Sequence, residues 1–359
     1  MASTNNPISS TSIPNSSSPF PPPKSYNIAG IAVSILGLSS LPPNCTSLTI
    51  LYLLHPRLQS ADTMLPIGTH ILSSWASHQA SLPASHPAKS AGLLALTFDQ
   101  RNHGARLVDS VGNDSWRDGN PRHAQDMFGV YNGTAVDVSF LIDHVGSYIA
   151  EDFGGAMPEI GRNLVLGVSL GGHAAWQVLF AEPRVEAGVV VIGCPDYIRV
   201  MTDRARLSKR PTYTQDAGTT FLGSRDFPAS LLTAVQKWDP RGILFGAGEI
   251  LSRPPTQDSP REEARLKDIL ESRVKGKSVL VCSGGADKLV PYKASEPFLG
   301  WLKEATGRGG WWEGGMGVRD VVYEGAGHEF TEAMAGDAVG FVVGLMEGKG
   351  QGGEKGSKI

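Results

Sequence analysis

The stretch Leu164-Val-Leu-Gly-Val-Ser-Leu-Gly-Gly-His173 contains a G-x-S-x-G pattern at Gly167, Ser169 and Gly171. In a chain with 43 glycines the pattern alone is weak, because short glycine and serine strings arise by chance. Its surroundings make it informative. An apolar run, Leu164–Gly167, feeds into it, and a helix-forming segment, His173–Phe180, leaves it. A strand that turns into a helix within so few residues strains the residue at the apex, and flanking glycines let the backbone close without side-chain collision. Ser169 is therefore expected at the carboxyl edge of a sheet, its hydroxyl raised, before a helix N-terminus whose positive end faces any oxyanion formed there. The competing reading is a glycine-rich turn between buried elements.

Around this turn, short apolar runs alternate with helical segments, the pattern of a mostly parallel sheet with crossover helices. The strand candidates are Leu48–Leu54, Gly92–Asp99, Asn163–Val168, Ala187–Ile192, Ser278–Cys282 and Val318–Tyr323, with a further strand pair within Ile28–Leu41. Each run is dense in Val, Ile and Leu without polar alternation, as when helices cover both faces of a sheet. Helices are expected over Met64–His78, Ala124–Ile149, His173–Phe180, Lys293–Glu304 and Thr331–Met346. Residues 199–272 break the rhythm with short helical patches, Pro211, Pro228, Pro240 and a Pro pair at 254–255, but no strand. They read as a cap or lid inserted into a core made of 25–198 and 273–346. Residues 1–24, rich in Ser, Pro and Asn, read as a disordered leader, and 347–359 as a flexible tail.

Composition narrows the class. Of 359 residues 41% are hydrophobic, too many for a disordered chain, and 19% are charged with a net charge of −3. That balance implies no polyanion-binding surface, so nucleic acid is not an expected partner. The apolar stretch near Ile28–Leu41 is broken by glycine and serine and is too short for the ~20 residues of a membrane span. Cys45, Cys194 and Cys282 show no C-x-x-C spacing, and the last two sit in apolar runs where a buried thiol is expected. A soluble cytoplasmic chain is the resulting expectation. With no H-x-H, H-E-x-x-H or phosphate-loop spacing, no metal or cofactor is expected.

A serine hydroxyl needs a neighbouring imidazole to remove its proton. After Ser169 the chain holds two histidines, His173 and His328. His173 lies on the helix leaving the turn and reads as helix surface or local packing. His328, in Tyr323-Glu-Gly-Ala-Gly-His-Glu-Phe330, lies between a strand and a helix on a glycine-flexible loop, and is the expected general base. An acid to orient the ring is offered by Asp287 in Ser278-Val-Leu-Val-Cys-Ser-Gly-Gly-Ala-Asp-Lys-Leu-Val-Pro291, with Asp196 in Ile192-Gly-Cys-Pro-Asp-Tyr197 as the alternative.

Together these motifs resemble the α/β-hydrolase family over roughly residues 26 to 346. Phe98-Asp-Gln-Arg-Asn-His-Gly104 is similar to the family's D-x-R-x-H-G turn, which shapes the mouth of the site and is usually not catalytic. His55-Pro-Arg-Leu58 stands where many members carry His-Gly, and Pro56 departs from that glycine. The resemblance implies an α/β-hydrolase fold with a helical cap, and an oxyanion hole formed by the backbone N–H groups of Leu170 and Arg57. It also implies two-step acyl transfer to water through Ser169, Asp287 and His328. A carboxylate at the nucleophile position would point to the family's dehalogenases and epoxide hydrolases, and here that residue is a serine. The substrate implied is a small-molecule carboxylic ester, with a thioester, an acyl transfer, or a catalytically silent ligand-binding role as alternatives. In the cap, the basic run Arg199–Arg210 reads as a solvated helix face, with contacts for an anionic group as the alternative. Phe221, Phe227, Leu231, Leu232 and Trp238 are candidates for an apolar acyl pocket, against the plainer role of holding the cap down.

Overall fold

The computed structural model describes residues 6–8, 20–250 and 260–348. Eight strands form one sheet in the order β1-β2-β4-β3-β5-β6-β7-β8. They are β1 (Lys24–Ile28), β2 (Ile31–Leu36), β3 (Ser47–Leu54), β4 (Ala91–Phe98), β5 (Glu159–Val168), β6 (Val185–Val191), β7 (Ser278–Gly284) and β8 (Gly317–Tyr323). The first pairings, β1 with β2 and β2 with β4, are antiparallel; all those from β4 through β8 are parallel. The helices are α1 (Leu65–Ser81), α2 (His123–Ile149), α3 (Leu170–Ala181), α4 (Tyr197–Leu207), α5 (Pro211–Thr214), α6 (Ala229–Trp238), α7 (Pro240–Phe245), α8 (Pro260–Arg273), α9 (Tyr292–Thr306) and α10 (Glu332–Glu347).

The continuous apolar runs are explained by the two cores that the sheet separates. Along β3, Leu48, Ile50, Tyr52 and Leu54 join one cluster, with α2, α3 and α9, while Leu51 and Leu53 join the other, with α1 and α10. Successive side chains of a strand point to opposite faces, so both registers must be apolar when both faces are covered. Burying one such Val, Leu or Ile contributes about 1.5–3 kcal/mol.

Strands β3 to β8 fall where the apolar runs place them, although β5 begins at Glu159, four residues before the expected start. The hairpin starts earlier than its apolar residues suggest. In Lys24–Ile28 only Ile28 is buried and Tyr26 half-buried, because β1 is an edge strand with little to bury, and periodicity does not reveal it. The expected disordered leader is therefore corrected at two places. Lys24 belongs to β1, and residues 6–8 dock on the body, where the Phe330 N–H donates to the Pro7 carbonyl at 2.7 Å and Ile8 is buried beside the α10 cluster. The Pro pair at 254–255 and residues 349–359 of the expected tail lie outside the described residues. Between β6 and β7 the described chain makes helices α4 to α8 and no strand. Among the described residues no helix is long and apolar enough to cross a membrane.

At the β5–α3 junction Val168 ends the strand and Leu170 begins the helix, leaving Ser169 alone to reverse the backbone at φ 55°, ψ −110°. The glycines around it are required by space. A Cβ on Gly167 would lie 1.9 Å from the Gly171 carbonyl oxygen, and one on Gly171 would lie 2.1 Å from that of Leu54. Replacing Gly171 by alanine is expected to destabilise the fold by at least about 3 kcal/mol, because the neighbour is backbone and cannot turn aside. Gly344→Ala, where a Cβ meets nothing within 4 Å in α10, should be neutral or slightly stabilising. Urea unfolding of both variants measures this, and equal midpoints would refute the close-approach account.

Candidate active site

Three loops at the carboxyl edge of the parallel strands converge on Ser169. The Ser169 Oγ lies 2.8 Å from His328 Nε2, and His328 Nδ1 lies 2.7 Å from Asp287 Oδ2. The three side chains form one hydrogen-bonded line, fully buried at the Asp287 end and partly open at His328. The loops that carry Asp287 and His328 are stitched to one another. The Gly285 N–H donates to the Tyr323 carbonyl at 2.9 Å and the Ala286 N–H to that of Ala326 at 2.8 Å. Gly284 packs so closely that a Cβ there would sit 2.3 Å from the Gly327 carbonyl oxygen.

Electrostatics keep the acid ionised. Burial pushes the Asp287 carboxyl up, but the His328 hydrogen bond and the N–H groups of Val290 (3.0 Å) and Leu289 (2.8 Å) outweigh it and hold it below the usual carboxylate range. With Oδ2 accepting from Nδ1, the other ring nitrogen faces the serine hydroxyl unprotonated. An imidazole held this way can take a hydroxyl proton and then be stabilised as imidazolium.

The other candidates do not join this hydrogen-bonded line, although His173 and Asp196 reach the same cavity. His173 is buried rather than on a helix surface, so its expected surface placement is corrected while local packing holds. Its ring stacks on Tyr131 at 5.7 Å, its Nδ1 meets the Cys194 main chain, and burial pushes its pKa down to about 4. Asp196, the alternative acid, caps α4 by accepting the Arg199 N–H at 2.9 Å, and lies 3.7 Å from Arg241. Phe221, Phe227, Leu231, Leu232 and Trp238 do not line the cavity. They pack the 199–272 segment onto the body, with Phe221 and Phe227 5.5 Å apart and Phe227 6.1 Å from Tyr197.

The loop carrying Arg57 is locked by its neighbours. The His55 Nε2 accepts the Gln100 N–H at 2.9 Å, so its Nδ1 donates to the Pro56 carbonyl at 2.8 Å; burial lowers this ring to a pKa of about 4 and keeps it neutral. Gln100 and His103 belong to the D-x-R-x-H-G turn, and His103 packs on His55 at 5.4 Å. This turn thus reaches the site by fixing the 55–57 loop and does not line the main cavity. Arg57 and Leu170 both line that cavity, and among the described residues neither main-chain N–H donates a hydrogen bond.

The cavity over Ser169 has a volume of about 950 Å³ and is lined by Ser169, Leu170, His328, Pro7, the 55–59 loop and much of α4. Pro7 and His123 are among the lining residues that escaped the sequence reading: Pro7 lay in a segment with no periodicity to reveal it, and His123 stood just before the expected helix Ala124–Ile149. Among the described residues no group of three His, Cys, Asp or Glu side chains is placed to hold a metal ion.

Residues 68–340 match the family model described as the alpha/beta hydrolase family. The chain belongs to that family and is a hydrolase enzyme. No curated protein matches it. Similar solved structures include the Thermus thermophilus protein TT1662, at 19% identity over 90% of this chain and 98% of that one, TM-score 0.48. An S-formylglutathione hydrolase from Agrobacterium tumefaciens is 12% identical over 92% and 95%, TM-score 0.48, and a Pyrococcus furiosus esterase 14% identical over 93% and 94%, TM-score 0.44.

The thiols supply a test of the site's chemistry. Burial pushes Cys282 up to about 12 and Cys194 still further. Ellman's reagent should therefore modify at most one thiol quickly in the native protein, the partly exposed Cys45, and all three after denaturation. Rapid modification of two or more native thiols would refute the burial of Cys194 and Cys282.

Proposed function

We propose that this hydrolase cleaves a carboxylic ester of a small or medium-sized acyl group, with Ser169 as nucleophile, His328 as general base and then acid, and Asp287 as the group that orients the ring. The observation that carries the reading is the unbroken Ser169–His328–Asp287 line, 2.8 Å and 2.7 Å, opening on a cavity of about 950 Å³. In the first step the Ser169 Oγ forms a bond to the carbonyl carbon as its proton passes to His328 Nε2. The tetrahedral intermediate collapses, the C–O bond to the alcohol breaks, and the imidazolium returns that proton to the leaving oxygen. Water then attacks the acyl carbon as its proton passes to His328 Nε2; the bond from that carbon to Ser169 Oγ breaks, the imidazolium returns the proton to Oγ, and the acid leaves.

The unused N–H groups of Leu170 and Arg57 suit the oxyanion of both tetrahedral intermediates, Leu170 with the α3 dipole behind it. Such a donor contributes about 3–4 kcal/mol of transition-state stabilisation. Residues 199–272, inserted into a core of 25–198 and 273–346, act as a cap in this reading, since much of α4, Tyr213 of α5 and Arg241 of α7 line the cavity over Ser169.

A fluorophosphonate probe is expected to label the native protein and not Ser169→Ala. Asp287→Asn should retain the fold and lower kcat on p-nitrophenyl esters about 10³–10⁴-fold, because the ring loses the carboxylate that fixes its tautomer. Equal labelling of Ser169→Ala, or an Asp287→Asn variant as active as wild type, would overturn the assignment.

A further inference from the structure

The cavity over Ser169 is strongly cationic. Eight arginine or lysine residues line it against three aspartates. The aspartates are already engaged: Asp203 pairs with Arg206 at 2.7 Å, Asp196 lies 3.7 Å from Arg241, and Asp118 accepts the Ser115 hydroxyl at 2.6 Å. Four of the lining arginines, Arg57, Arg117, Arg199 and Arg204, have no carboxylate within ion-pair distance among the described residues; Arg117 and Arg199 are exposed to solvent, and Arg57 and Arg204 are the two that are half-buried. Arg204, near the C-terminal end of α4, is held entirely by neutral groups: His123 Nε2 at 3.3 Å, Met127 Sδ at 2.9 Å and the Leu289 carbonyl at 3.4 Å. His123 is neutral because burial and the two arginines push its pKa well down, and its Nδ1 is committed to the Asp114 carbonyl at 2.9 Å. Arg57 reaches the Asn113 carbonyl, with Asp114 and Asp118 near but not in contact.

Removing a cation from water is unfavourable unless an opposite charge meets it. Burial lowers the pKa of both groups, that of Arg204 to about 10. Both remain partly accessible, and both line the space where a bound ester would lie. A planar guanidinium matches a carboxylate in shape and charge. We propose that the ester cleaved at Ser169 carries a carboxylate besides its scissile carbonyl, and that Arg57 and Arg204 recognise it. This inference rests on the reading of Ser169 as nucleophile, and it narrows the substrate class to acidic esters.

Two matched substrate pairs test it: p-nitrophenyl hemiadipate against methyl p-nitrophenyl adipate, with the charge on the acyl side, and 4-acetoxybenzoate against 4-acetoxybenzamide, with the charge on the leaving side. Wild type is expected to show at least a tenfold higher kcat/KM for the charged member of one pair, chiefly through KM. In Arg204→Gln that charged-to-neutral ratio should fall at least tenfold, and Arg204→Lys should retain part of it. If Arg204 were only a strut for α4, both members of a pair would change together and the ratio would stay. A neutral preference or no preference in both pairs, or an unchanged ratio in folded Arg204→Gln, overturns the proposal. Should Arg204→Gln fail to fold, the wild-type ratios decide. Failure of fluorophosphonate labelling would remove the nucleophile reading instead. In that case calorimetry with adipate and adipamide on the wild-type protein decides the anion site, binding of adipate alone supporting it and equal binding or none overturning it.

Discussion

At φ 55° and ψ −110°, Ser169 holds a backbone conformation that costs on the order of 1–3 kcal/mol for a residue with a side chain. The surrounding main chain over-determines it. The Ser169 N–H donates to the Val191 carbonyl on β6 at 2.9 Å, and the His173 N–H donates back to the Ser169 carbonyl at 3.0 Å. Strand β5 on one side and helix α3 on the other leave no slack, since Gly167, Gly171 and Gly172 all approach backbone more closely than a Cβ allows. Gly171 abuts the Leu54 and His55 carbonyls, so the turn that raises the hydroxyl also sets the position of the 55–57 loop. A small-residue requirement and a strained serine are two aspects of one packing problem.

From that fixed point the site is built by loops that hold each other. The Gly285 and Ala286 N–H groups donate to the Tyr323 and Ala326 carbonyls, and the 55–57 loop is pinned through neutral His55 to Gln100. Neutral histidines recur in this role. His55, His123 and His173 are all buried, burial lowers the pKa of each, and each spends a ring nitrogen on backbone. His328 differs in having a carboxylate on one nitrogen and a hydroxyl on the other. The chemical distinction among these four rings is a distinction of neighbours.

The interior strands were legible because each must be apolar on both faces, which leaves a mark on every residue. Edge strand β1 carries no such mark, and neither does Pro7, whose carbonyl finds Phe330 across more than three hundred residues of chain. The same gap separates the good and poor expectations within 199–272. The absence of strands was readable from the sequence, whereas the basic run, expected as a solvated helix face, lines the cavity through Arg199, Arg204 and Arg206. The aromatic residues of that segment, equally apolar whether lining a pocket or anchoring a helix, turned out to anchor it.

By itself the sequence determined the parallel sheet, the tight turn at Ser169 and a short set of residues able to join it, because steric and hydrophobic demands act on neighbours in the chain. The choice of His328 over His173 and of Asp287 over Asp196 was an expectation, and only the tertiary structure shows which of them lie on one hydrogen-bonded line with Ser169; only it revealed two half-buried arginines facing a shared cavity with no carboxylate in ion-pair distance among the described residues. Hydrogen-bond partners and dielectric surroundings are set by residues distant in sequence, and no local pattern encodes which of several equivalent side chains the fold will bring within 3 Å of a serine.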